Sequence, residues 1–273
     1  MNNTFDIRRF GFLIKKIIYE KGLILGGSFV LLVVLMLLIY GTSSAVKQSS
    51  LPQNACFGLG LISPTVFVSI LLNHFSRKSS AVAYLTLPCS HFEKWLTIFM
   101  LTVFIYLPLF LLTFKLIDTV FLNHYREVAV TKFQYMNYQL ESDLPYLKYT
   151  FQAVKGVMPF SGFMACFFGL SGATVLGTLY FNQKSYIKTA LVLVGFFIVF
   201  GFLANTLFGI IIGESTSTGI FTFDKALVTN ESKRQFSVEA PEAIKNLVKY
   251  FLLVFIPAAL WLIGLVRLRD REL

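Results

Sequence analysis

The sequence predicts an all-α integral membrane protein with six transmembrane helices and both termini in the cytoplasm. Two observations about composition and one about pattern carry that reading. Of 273 residues, 56% are hydrophobic and 30 are Phe. Only 14% are charged and the mean hydropathy is +0.70, whereas soluble domains carry about a quarter charged residues. The pattern is a series of six apolar runs, each near the ~20 residues a helix needs to cross the hydrocarbon core. The expected spans are 22–40, 55–75, 95–117, 157–181, 186–213 and 247–266, in a single transmembrane domain covering 1–273.

The leader, 1–21, precedes the first span. Ile7, Phe10, Ile14, Ile17 and Ile18 recur at helical spacing while Arg8, Arg9, Lys15 and Lys16 cluster on another side, which predicts an amphipathic helix lying in the headgroup plane. Simple anchoring and a functional role are both open for it. The first apolar run exceeds a signal-peptide core, so it reads as an uncleaved span.

In the second run, Gly58, Gly60 and Pro64 interrupt the pattern. Membrane helices tolerate such residues where neighbours satisfy the backbone; a re-entrant segment is the alternative. In the third and sixth runs, Pro108 and Pro257 predict kinks. Small residues repeat every four positions in the fourth run (Ala165, Gly169, Ala173, Gly177) and, with an Asn, in the fifth (Gly201, Asn205, Gly209, Gly213). Such ridges permit close helix packing, within one subunit or between two.

Charge sets the orientation. With six spans, 13 of the 24 basic residues fall in the termini and the short links on one side. The other side receives the longer, acid-richer segments 118–156 and 214–246, so the positive-inside rule makes the first side cytoplasmic. The net charge of +10 is explained by orientation and headgroup contact, and no nucleic-acid partner is expected.

Several function classes lack the residues they need. Cys56, Cys89 and Cys166 form no disulfide framework, and His74, His91 and His124 lie outside or at the ends of the runs without ligand spacing, so no metal is expected. No span carries Asp or Glu in its central part, which argues against ion-driven transport. There is no phosphate-cradling Gly-x-x-x-x-Gly-Lys-Ser/Thr loop. No catalytic residues are assigned, and the chain is expected to be no enzyme.

Between the second and third runs lies a short island, "SRKSSAVAYLTLPCSHFEKWL". Ser90 and Glu93 form a capping box that starts the third span. Pro88 ends whatever helix precedes it. The preceding residues suit a helix of about two turns, too short to be stable without a surface to pack on. That surface is either the protein's own span ends or a soluble partner, with Ala81, Val82, Tyr84, Leu85 and Leu87 supplying contact area and Tyr84 the anchor.

An amphipathic leader, six spans and an island reading "YLTLPCSHFEKWL" resemble the membrane (permease) subunit of type-2 ABC exporters. The matching positions are Leu85, Pro88, Ser90 and Lys94. The resemblance implies that the leader is a connecting helix and that 79–87 is a coupling helix seated on a separate cytoplasmic ATPase. It further implies ATP and magnesium on that partner, none on this chain. A homodimer or pseudodimer with a second permease chain, in the cytoplasmic (inner) membrane and in contact with its lipid, exporting an amphipathic, lipid-like or peptide-like substrate, is the function implied. The rival expectation is a non-catalytic scaffold or sensor that binds a ligand or partner through its external segments.

Overall fold

The computed structural model describes residues 5–42, 50–76, 82–84, 86–134, 160–181, 187–195, 215–217, 225–229, 235–239 and 250–270, with isolated positions between the last helices. Among the described residues, five helices are long and apolar enough to cross a membrane: Ile7–Thr42, Pro52–Leu71, His91–Phe121, Phe160–Tyr180 and Phe251–Asp270. The chain is a multi-pass membrane protein. Its outer surface agrees: Leu23, Leu31, Leu112, Leu116 and Val266 are all exposed, an arrangement that water would penalise and lipid tails accept.

Helix α1 is Ile7–Thr42. The leader is therefore not a separate in-plane element, as its amphipathic pattern suggested; it runs into the first span without a break. Thirty-six residues rise about 54 Å against a hydrocarbon core of ~30 Å, so the surplus turns extend past the core. They are held by packing: Leu13, Ile17 and Lys21 are buried one turn apart, as are Leu32, Met36 and Tyr40 further along. Ile7 and Ile18 of the expected apolar face stay exposed.

Helix α2, Ser50–Leu71, is continuous through Pro64 and long enough to cross. Gly60 has a packing reason: a Cβ there would collide with the Phe110 ring. Helix α3 consists of His91–Met100, a π-helical turn Leu101–Tyr106 and Leu107–Gln134. It continues well past the expected end at 117, so the first part of the segment 118–156 is helical. Helix α4 is Phe160–Tyr180. The expected fifth span, 186–213, is described mainly at 187–195, which is helical and is labelled α5. Helix α6 begins with a π-helical turn, Phe251–Phe255, and continues as Ile256–Asp270.

At both prolines expected to kink their helices stands a π turn that ends just before the proline. Leu107 N–H donates to Thr102 O before Pro108, and Ile256 N–H donates to Phe251 O before Pro257. Proline lacks an N–H and presses on the carbonyl four residues back; a wider turn moves that carbonyl aside.

The core is largely aromatic. Phe57 and Phe163 meet at 4.1 Å between ring centroids, Phe67 and Tyr106 at 4.6 Å, and Phe110 stacks on Phe114. Outside the helices, a small antiparallel sheet, β1 (Ser215–Ser217), β2 (Lys225–Thr229) and β3 (Gln235–Glu239), lies within the segment 214–246. Thr216 pairs with Leu227 and Val228 with Phe236. The membrane part is helical as expected; this sheet is an addition to it.

Candidate functional site

The island's flanks are built around Glu93. Ser90 stands in extended conformation before α3; its Oγ accepts the Glu93 N–H at 3.2 Å, and Glu93 Oε2 accepts the Ser90 N–H at 2.8 Å. The capping box is present. Glu93 does more than cap, because its other oxygen, Oε1, accepts the backbone N–H of Asp6 at 2.8 Å and lies 3.4 Å from Arg9 Nη2. Asp6 in turn caps α1, its Oδ1 accepting the Arg8 N–H at 2.9 Å. A fully buried carboxylate thus ties the leader to the start of α3.

A second tie joins the leader to α2. Lys21 Nζ donates to Ile70 O at 2.8 Å and to Leu71 O at 2.7 Å. These are terminal carbonyls that the helix cannot satisfy itself, and a cation is favoured at the negative end of the helix dipole. Trp95 Nε1 donates to Trp261 O at 3.0 Å, bringing α6 to the same end of the bundle. Arg267 of α6 lies over the Tyr180 ring at the end of α4, and Lys188 of α5 over Phe181. The start of α1, the island flanks, the end of α4, the start of α5 and the end of α6 therefore share one end, as alternating crossings require.

On this platform the island folds as a short helical turn at 82–84, closed by Thr86 N–H to Val82 O at 2.9 Å and Leu87 N–H to Tyr84 O at 3.4 Å. Two surfaces were open to the island, the protein's own span ends and a soluble partner, with Tyr84 the anchor on the partner. Tyr84 points inward, only 6% exposed, stacked on His74 at 5.3 Å, edge-on to Phe75, with Lys94 Nζ 5.8 Å from its centroid. A large amphipathic ring gains more by covering the span ends than by facing water. The side chains left outside are Val82, Ala83, Thr86 and Pro88, while Leu87 is half-buried; Ala81 and Leu85 lie outside the described residues. Lys94, read as part of the loop structure, is fully buried.

Two titratable groups in the platform are shifted. Burial, then the Lys21 charge, lowers the His74 pKa below its usual 6.5, with Glu20 opposing. Burial, then the Glu93 carboxylate, raises that of the Cys89 thiol, which keeps it protonated and a poor nucleophile.

The small-residue ridge of α4 is used inside the subunit. Gly169 faces Pro257 of α6, and a Cβ on Gly177 would strike Thr189 of α5. The closest approach to α6 is at Gly172, where a Cβ would lie 3.0 Å from Trp261 Cδ1. Ala173 is half-buried, and Gly201, Asn205 and Gly209 lie outside the described residues.

At the opposite end of the bundle stands a cluster that sequence reasoning missed. Asp118 is fully buried; its Oδ1 accepts from Tyr40 Oη at 2.6 Å and from Gln53 Nε2 at 2.9 Å. It stood first in the segment expected to be external. The available signal was its place directly after "FKLI", one residue beyond the apolar run. Residues 93 and 118 are separated by about 37 Å of helical rise, slightly more than a hydrocarbon core of ~30 Å. Each buried carboxylate thus joins α1 to α3 near one face of the membrane. Among the described residues, no group of three or more His, Cys, Asp or Glu gathers at metal-binding distance.

Comparison with family models, with curated proteins and with solved structures finds no match.

Proposed function

We propose that this chain is the permease subunit of an ATP-driven exporter, embedded in the cytoplasmic membrane with its termini and island in the cytoplasm. It couples ATP hydrolysis on a separate ATPase, which holds the ATP and magnesium, to export of an amphipathic, lipid-like or peptide-like substrate. It works as a homodimer or pseudodimer and has no catalytic role of its own.

The observation that carries this reading is mechanical. The turn at 82–84 is seated by Tyr84 on a platform in which Glu93 and Lys21 bind α1 to both α3 and α2. A push on Val82, 60% exposed, is passed through that platform to three helices at once. Such a device suits a partner that moves, and the basic residues gathered at this end favour the cytoplasmic side.

Mild-detergent purification from the native host tests it. An ATPase subunit is expected to co-purify, and Val82→Asp with Thr86→Asp to release it while the permease still folds. The outward positions are the informative ones, since Tyr84→Asp would damage the platform itself. Absence of an ATPase together with full activity in the outward variants overturns the reading.

One observation favours the scaffold or sensor alternative: the sheet at 215–239 gives one of the segments expected to be external a folded surface. Under that reading, deleting 214–246 abolishes function and the Val82 substitution does not.

A further inference from the structure

Hydroxyls in these helices usually satisfy themselves. Thr65, Ser69, Thr97, Thr113, Ser171 and Thr174 each donate to a carbonyl of their own helix at 2.5 to 2.8 Å, as expected where no water is at hand. Two depart from this habit. Thr102 Oγ1 and Ser63 Oγ are sealed from solvent and donate to no carbonyl of their own helix: Thr102 Oγ1 meets no partner among the described residues, and Ser63 Oγ has the Tyr106 phenol as its hydrogen-bonding neighbour. Thr102 is fully buried, and Tyr106 lies one turn past it.

These hydroxyls share a level in the membrane. Tyr106 lies thirteen residues past Glu93 and twelve before Asp118, about 20 and 18 Å of helical rise, which is the midplane. Tyr106 is enclosed by Phe67 at 4.6 Å, Phe29 at 6.3 Å and Phe167 at 6.5 Å. The backbone is also irregular on both sides. Ser63 immediately precedes Pro64 of α2, and Thr102 and Tyr106 belong to the π turn of α3. Interrupted helical ladders are where a helix bends most readily, and π turns recur at functional sites.

We propose that Ser63, Thr102 and Tyr106 form an occluded site at the membrane midplane for the neutral hydrogen-bonding group, a hydroxyl or an ester carbonyl, of an amphipathic ligand. The hydroxyls receive the polar group and the Phe29, Phe67 and Phe167 rings receive the adjoining chain. Entry requires α2 to part from α3 at Pro64 and the π turn. The site carries no charge, so it selects neutral amphiphiles over ionised ones. This rests on the amphipathic-substrate part of the proposed function and not on the ATPase.

Photolabelling of the purified chain in lipid nanodiscs tests it, with a diazirine-bearing decanol and the matching diazirine-bearing decane as probes. The alcohol is expected to label peptides containing Ser63 and Thr102–Tyr106 in preference to the hydrocarbon, which labels lipid-facing positions such as Leu112. Thr102→Val keeps the shape and removes the hydroxyl. It should cut alcohol labelling about fivefold, the loss of one neutral hydrogen bond of ~1 kcal/mol, and leave hydrocarbon labelling unchanged. Ser63→Ala supplies a second reading should the first variant fold poorly. Equal labelling by both probes, or alcohol labelling indifferent to both substitutions, overturns the site and leaves these hydroxyls to water alone. Because no ATPase is present, failure of the coupling reading would not alter the result.

Discussion

The backbone N–H of Asp6 donates to Glu93 Oε1 at 2.8 Å, so the first residues of α1 and the first turn of α3 are one unit. The same carboxylate accepts the Ser90 N–H and faces Arg9. Glu93→Ala therefore strips acceptors from two backbone donors in a buried setting, at a cost of about 2–3 kcal/mol. Thermal unfolding in detergent should show a clearly lowered midpoint. Glu93→Gln, which keeps one carbonyl oxygen, should fall between the two. An alanine variant with an unchanged midpoint would show that the tie contributes nothing.

Tyr40 and Asp118 form the corresponding tie at the other end, over 2.6 Å. A double-mutant cycle with Tyr40→Phe and Asp118→Asn should give a coupling energy of about 1.5–3 kcal/mol, the range for hydrogen bonds to charged groups. Additive losses would mean that Gln53, and not Tyr40, is the partner that matters to Asp118.

What could be read in the sequence was local. The Ser90–Glu93 capping box depends on residues three apart, and the apolar runs on length alone, so both were visible. Glu93's bond to Asp6 links positions 87 residues apart, and no periodicity reveals it. Asp118 was hidden because the apolar run stops just before it while the helix does not. Tyr84 suited either a partner or the protein's own span ends, because amphipathic rings cover both kinds of surface; the ring covers the span ends, a choice that depends on His74 ten residues away. The ridge of α4 was read at intervals of four, yet its tightest contact with α6 lies at Gly172, three positions from Gly169, because packed helices engage rows of both spacings.

That register yields a contrast between neighbouring glycines. A Cβ at Gly169 would sit 4.0 Å from Pro257 Cγ, an ordinary contact, whereas one at Gly172 would lie 3.0 Å from Trp261 Cδ1 and 3.1 Å from Leu260 Cβ. The Trp261 ring has little freedom to yield, since its Nε1 donates to Phe168 O at 3.1 Å. Gly169→Ala should be tolerated or slightly stabilising through its helix propensity. Gly172→Ala should cost about 1–3 kcal/mol as overpacking and shift tryptophan fluorescence. Equal unfolding midpoints for the two variants would contradict the α4–α6 packing.

His74 makes the platform sensitive to acid. Its ring stacks on Tyr84 at 5.3 Å, and burial and then Lys21 lower its pKa from 6.5. The surrounding charges are Glu20, Lys16 and Lys21 on α1, with Lys94 of α3 across the Tyr84 ring. With the folded pKa below the unfolded one, both states are neutral at pH 7.5 and the imidazole favours folding fully. As pH falls through 6.5, the unfolded chain takes up the proton first, and this contribution is lost progressively until the folded pKa is passed. The unfolding midpoint should therefore drop on acidification from pH 7.5 to pH 5. His74→Phe preserves the stacking partner without the titration, so it should flatten that slope while leaving the midpoint at pH 7.5 nearly unchanged. A midpoint that rises on acidification, or a slope that survives in His74→Phe, would place the sensitivity elsewhere.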